Sequence, residues 1–147
     1  MILLALVFAA PAGSTALAAS AAERALLDEV NRVRGAHGLH PLRSNGSLAR
    51  AARSHTRTML TRQQFAHGNT VARLRRFGVR GPLVGENLAW GSGRYASPAS
   101  IVRMWLESPP HRANLLRRGF RRIGLAAGTG AFAGFSSATV VTADFAS

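Results

Sequence analysis

The side chains able to do chemistry in this chain are few, and no cysteine is among them. That absence excludes a disulfide scaffold, a zinc ribbon, an iron–sulfur site and a cysteine nucleophile, so any metal must be held by histidine and carboxylate. The chain offers 5 His and 6 Asp plus Glu. His67 follows Phe65-Ala66 in a loop, and His111 follows two prolines that fix its backbone at a helix start. Neither belongs to an HExxH motif, so spacing alone gives no zinc site. Glu86 interrupts an otherwise apolar stretch, Leu83-Val84-Gly85-Glu86-Asn87-Leu88, where a buried carboxylate needs a partner. His37 and His40 flank a helix end and are expected in solvent. His55 shares an apolar stripe with Leu48, Ala52 and Met59 and reads as a buried, hydrogen-bonded core histidine.

Two other candidates fare badly. Gly134-Phe135-Ser136-Ser137-Ala138 has the outline of a nucleophile elbow, but the final glycine is absent and no helical pattern follows. Gly91-Ser92-Gly93-Arg94-Tyr95-Ala96 lacks the βαβ frame of a phosphate loop and reads as a turn.

The 19 basic residues are all Arg and give a formal charge of +13. Clusters fall at Arg73, Arg75 and Arg76 and at Arg117, Arg118, Arg121 and Arg122. Such a surface attracts polyanions non-specifically at low salt. No nucleic-acid motif is present and the aromatics do not interleave with Arg as stacking platforms do, so specific nucleic-acid binding is not expected and the arginines read as solvated faces.

These groups must be positioned by a small set of elements. The 147 residues are 47% apolar, which suits one globular domain. Met1 to Phe8 are nearly all large and apolar, and Ala16-Leu17-Ala18 is a small-x-small cleavage signature. Residues 1–18 therefore read as a secretory signal peptide and 19–147 as the mature domain, with no transmembrane span in the mature chain. Leu26, Leu27, Val30 and Val33 predict a helix over Glu23 to Ala36. A second helix starts after Asn45 or Ser47, and Val71, Leu74 and Phe77 predict a short one before Gly78. Ser97-Pro98 starts a helix with Ile101, Val102, Trp105 and Leu106 as its buried stripe, and Ser108-Pro109-Pro110 ends it and begins another. Ile123, Leu125 and Ala127, then Val141, Ala143 and Phe145, alternate with a period of two, which predicts an antiparallel hairpin with a loose loop around Gly128, Gly130 and Gly134. Helices first and strands last indicate an α+β fold.

Taken in order, several segments carry a resemblance. They are Asn31-Arg32-Val33-Arg34, Gly38-Leu39-His40-Pro41-Leu42, Leu48 through His55 with Met59, Phe65-Ala66-His67, and Gly85-Glu86-Asn87-Leu88-Ala89. Trp105-Leu106-Glu107-Ser108-Pro109-Pro110-His111-Arg112-Ala113-Asn114-Leu115-Leu116, Ile123-Gly124-Leu125-Ala126 and Thr142-Ala143-Asp144-Phe145 complete the set. Together they resemble the CAP superfamily (cysteine-rich secretory, antigen 5 and pathogenesis-related proteins), in its cysteine-free bacterial branch. The resemblance implies a three-layer α-β-α sandwich with a small central antiparallel sheet and an open cavity. In the family two histidines and one or two glutamates converge there, and some members bind a divalent ion such as zinc. Carried over by motif, His67, Glu86 and His111 fill three of those places, with His67 and His111 as the metal ligands and Asn87 adjoining. The second glutamate falls at Ser108 here. Glu107 stands one position early, and since one residue turns a helical side chain by about 100°, it is expected to point elsewhere.

Two functions follow from the resemblance and this residue set. The first is a secreted binding module of the extracellular space or cell envelope, whose His/Glu cavity holds a divalent ion, lipid, glycan, peptide or cell-wall fragment. The second is a metal-assisted hydrolase with zinc or another divalent cation on His67 and His111 and Glu86 as general base. The missing fourth acid and the lack of a strong nucleophile favour the first.

Overall fold

The computed structural model describes residues 19–147, and the expected signal segment 1–18 lies outside the described residues. Helix α1 spans Ala21–Ala36, started by a capping box in which Ser20 and Glu23 satisfy each other's backbone N–H. A two-residue strand β1, Arg43–Ser44, leads into α2, Gly46–Arg62, capped by Asn45. Then follow α3 (Thr70–Arg76), strand β2 (Val84–Gly91), a 3-10 turn (Gly93–Ala96), α4 (Pro98–Glu107) and α5 (Pro109–Leu115). The long strands β3 (Arg122–Phe132) and β4 (Phe135–Ala146) close the chain.

The sheet order is β1-β3-β4-β2, which puts β2 on an edge. β4 pairs antiparallel with both β2 and β3, and the expected antiparallel ladder is extended by β1, which joins β3 in parallel. The sheet is therefore mixed. The loop expected to be loose is instead a two-residue turn at Ala133 and Gly134, both with positive φ (52° and 86°). Gly128 and Gly130 lie inside β3.

Side chains of β4 alternate between two cores, as the period of two requires. Val141, Ala143 and Phe145 face Leu26, Val30, Ile101, Trp105 and Phe120 of one helical layer. Val140 and Ala146 face the other, where Met59, Leu48 and Leu74 pack. The result is three layers, α1/α4/α5 on the sheet on α2/α3. Gly124 sets the closeness of the second interface: a Cβ there would stand 2.0 Å from the Leu48 carbonyl carbon and 2.2 Å from the Ala49 nitrogen. Two residues of the Asn31–Arg34 segment serve as fasteners. Asn31 exchanges hydrogen bonds with the Leu42 backbone (3.1 and 2.8 Å), and the buried Arg34 donates to the carbonyls of His40, Leu115 and Arg117 (2.9, 2.7 and 3.2 Å). They tie α1 to β1 and to the end of α5. Among the described residues no helix is long and apolar enough to cross a membrane.

Candidate functional site

Because β2 is an edge strand, groups from both helical layers can meet around it. Glu86 points to the α2/α3 side, where the loop before α3 delivers His67; its Nδ1–H donates to Glu86 Oε1 at 2.6 Å. Thr70 in the first turn of α3 donates to the same oxygen at 3.0 Å, and Arg73, one turn on, pairs with Glu86 Oε2. Asn87 points to the other side and donates to the His111 carbonyl at 3.0 Å. Asn114 of α5 donates to the Glu86 carbonyl and to Asn87 Oδ1 at 3.1 and 3.0 Å. Trp105 Nε1–H donates to the Leu88 carbonyl at 2.9 Å, fastening α4 to the same strand. Thus α5 is sewn to β2, and the His111 ring comes to 6.4 Å (centroids) from that of His67, tilted by 40°. His67 stands between the buried Glu86 carboxylate, which it contacts, and the His111 ring.

The other expected site residues, Asn87, Glu107 and Ser108, do not line the cavity beside His67. Asn87 is fully buried and acts by holding α5. Glu107 has 70% of its side chain exposed and sits 4.0 Å from Arg103, one helical turn away, as the 100° argument required. Ser108 is at the junction of α4 and α5 and makes no side-chain capping bond.

Four members escaped sequence reasoning. His55 is largely buried and hydrogen-bonded, as expected, but at the border of the site: its Nε2–H donates to the Ala66 carbonyl at 2.9 Å and lies 3.8 Å from Glu86 Oε2. Thr70 joins through Glu86. Arg73 is not a solvated surface cation; its side chain is only 12% exposed and bridges Glu86 to Asp144 Oδ1 at 3.0 Å. Asp144 is directly opposite Glu86 in the β2–β4 register and has no exposed surface. Two buried carboxylates thus share one guanidinium. Burial pushes the Asp144 carboxyl up to about 7, with Glu86 adding to the rise and Arg73, already engaged, offsetting only part of it. Among the described residues none donates a hydrogen bond to Asp144 Oδ2. Burial also lowers the pKa of His111, helped by the nearby His67, and that of His55, helped by Arg73.

A cavity of about 310 Å³ opens beside these groups, lined by His55, Met59, Arg62, Ala66, His67 and Arg73. With Nδ1–H donated to Glu86, His67 keeps Nε2 for an incoming group, and 56% of its side chain is exposed. As a metal centre the donor set is thin. Among the described residues no three His, Cys, Asp or Glu side chains are disposed to hold an ion. Two imidazoles remain, and both Glu86 oxygens already have partners, one of them a cation. That set does not fit a resident zinc, which takes at least three protein ligands in catalytic and structural sites.

The fold and this edge-strand site define a three-layer α-β-α sandwich, and similarity to known proteins fixes which. The model of the cysteine-rich secretory protein family, CAP, matches residues 27–145. The chain belongs to the CAP family, as a member without cysteine. It is 31% identical over 111 residues to the uncharacterized protein YkwD of Bacillus subtilis (strain 168), covering 72% of this chain and 42% of that one. Similarity to the uncharacterized membrane protein YlbC of the same organism is 31% over 108 residues, covering 70% and 30%. Among solved structures, an extracellular protein containing a SCP domain from Bacillus anthracis str. Ames matches at a TM-score of 0.69 and 27% identity, over 84% of this chain and 39% of that one. An outer surface protein of Borrelia burgdorferi has the same fold at a TM-score of 0.68 and 20% identity, over 84% and 92%. The chain spans less than half the length of the two Bacillus subtilis relatives.

Proposed function

We propose that this domain works outside the cytoplasm, in the extracellular space or cell envelope, as a binding module. Its cleft takes a fragment bearing carboxylate or hydroxyl groups, such as wall glycans and peptides present. The extracellular relative of Bacillus anthracis supports the location. The observation that carries the binding role is the state of Glu86. Its carboxylate is closed in by His67, Thr70 and Arg73, while the His67 side chain is 56% exposed and its ring lies 6.4 Å from that of His111. A general base must reach water, whereas the Glu86 side chain is only 3% exposed and paired with Arg73, and a hydrolytic zinc needs a third ligand. Two imidazoles, one held in a single tautomer by its carboxylate, suit donation to and acceptance from a polar ligand.

A divalent ion would meet only His67, His111 and water, so zinc is expected to bind weakly and to be displaceable. Calorimetric titration with soluble muropeptides tests the proposal. Saturable one-to-one binding, lost in His67→Ala and His111→Ala at unchanged melting temperature and insensitive to chelator, is the expected result. Chelator-sensitive cleavage of those fragments would replace binding with hydrolysis.

A further inference from the structure

One end of the sheet has a chemistry that the cleft does not explain. Phe65, Tyr95 and Phe135 are 44%, 48% and 49% exposed, and they are three of the four large apolar side chains exposed among the described residues. Phe65 and Phe135 are joined through the less exposed rings of Phe132 and Trp90, and Tyr95 stands on the neighbouring 3-10 turn. Phe65 meets Phe132 edge-on (centroids 6.4 Å), Phe132 meets Trp90 (5.8 Å), and Trp90 meets Phe135 (5.6 Å). Gln63 donates to the Ala131 carbonyl at 2.7 Å and Ser92 to the Ser137 carbonyl at 2.8 Å, which binds the loop after α2 and the 3-10 turn carrying Tyr95 to the β3–β4 tip.

We propose that this end is a docking surface for an anionic lipid bilayer. Three observations carry it. The contributing segments, 62–66, 90–97 and 129–138, contain no Asp or Glu, and their charges are Arg62 and Arg94, on a chain of net charge +13. Arg94 lies 5.0 Å from the Tyr95 ring, so a cation sits at the edge of the aromatic patch, as at membrane interfaces. The turn is the third. Two-residue hairpin turns with positive φ strongly prefer Asn, Asp or Gly first, yet Ala133 occupies that position at 52°, so the tip Ala131-Phe132-Ala133-Gly134-Phe135 presents no polar side chain. The docking end adjoins the cleft, since Arg62 and Ala66 also line the cavity beside His67, but Phe65 and Phe135 line none of it.

The test uses co-sedimentation with vesicles of phosphatidylcholine and phosphatidylglycerol in equal parts. Because +13 draws any part of the surface to anions, the decisive variants alter apolar groups alone. Phe65→Ser with Phe135→Ser is expected to weaken vesicle affinity by about tenfold or more, as removing two half-buried rings from an interface should. A Phe135→Trp variant, which leaves the fold undisturbed at an exposed position, is expected to show a blue-shifted emission on vesicles that brominated lipid quenches. His67→Ala and His111→Ala are expected to bind vesicles normally, so failure of the cleft proposal would leave this one standing. Equal binding by the serine double variant, or an emission that vesicles do not move, would overturn it. Retention on insoluble wall glycan through the same two Phe, without vesicle binding, would overturn it as well.

Discussion

Replacing Asp144 by Asn probes the buried charge arrangement more sharply than any other change. Asn keeps an oxygen to accept from Arg73 at the 3.0 Å position of Oδ1 and removes only the ionisation. The wild-type carboxyl has an ordinary value of 3.8 and a folded value of about 7. Between these the native state holds a proton that the unfolded chain has released. Stability from this group is therefore complete below 3.8 and lost as pH rises through about 7. The full span is about 3 pK units, or about 4 kcal/mol, of which about 3 kcal/mol falls between about pH 5 and pH 8. Urea unfolding of both proteins at those two pH values gives the difference directly. The Asn variant is expected to gain about 3 kcal/mol on wild type between the lower and the higher pH. A stability difference that does not change with pH, or one that moves against the variant at high pH, would refute the raised Asp144 value.

Other changes have equally definite outcomes. Gly124→Ala drives a methyl into the α2 backbone and should destabilise by about 3 kcal/mol or more, seen as a lowered melting temperature. Arg34→Ala leaves three carbonyls without their donor and opens a cavity, for an expected loss of about 3 kcal/mol in urea unfolding. Glu86→Gln removes the charge that faces Arg73 and raises Asp144; that variant should unfold earlier, and its Asp144 should titrate lower in carboxyl NMR. His55 and His111 have depressed values, so their neutral forms contribute stability that is present above 6.5 and lost as pH falls through the folded values. Proton-detected imidazole titrations should place both midpoints below 6.5.

The helices were legible because each carries its own signal: the three-and-four spacing of α1, Ser97-Pro98 before α4, the double proline before α5. Glu86 stood out as a carboxylate in an apolar stretch, and the motif resemblance joined it to His67 and His111. The same signal was present at Asp144, inside Val140 to Phe145, but there strict alternation accounts for a polar residue without calling for a buried one. His55 reads correctly as buried and hydrogen-bonded, but its nearness to Glu86 was hidden because one helical face serves both the core, through Leu48, Ala52 and Met59, and the cleft at its border. Nothing local marks Arg73 among 19 arginines; only the sheet register, placing Glu86 opposite Asp144, creates the need for a cation. β1 is two residues long and its pairing with β3 is remote in sequence, so no periodicity could announce it. The tight turn was hidden because Ala133 is not a turn-forming residue.

Long-range nitrogen–proton NMR of the imidazole rings, read before and after adding muropeptide, examines the cleft itself. With Glu86 satisfied by its neighbours, His67 should appear as the Nδ1–H tautomer and His111 as a neutral ring at pH 7, and the two should shift together on saturation. A His67 protonated at Nε2 with Nδ1 bare, or rings that ignore the ligand while it binds, would contradict the account.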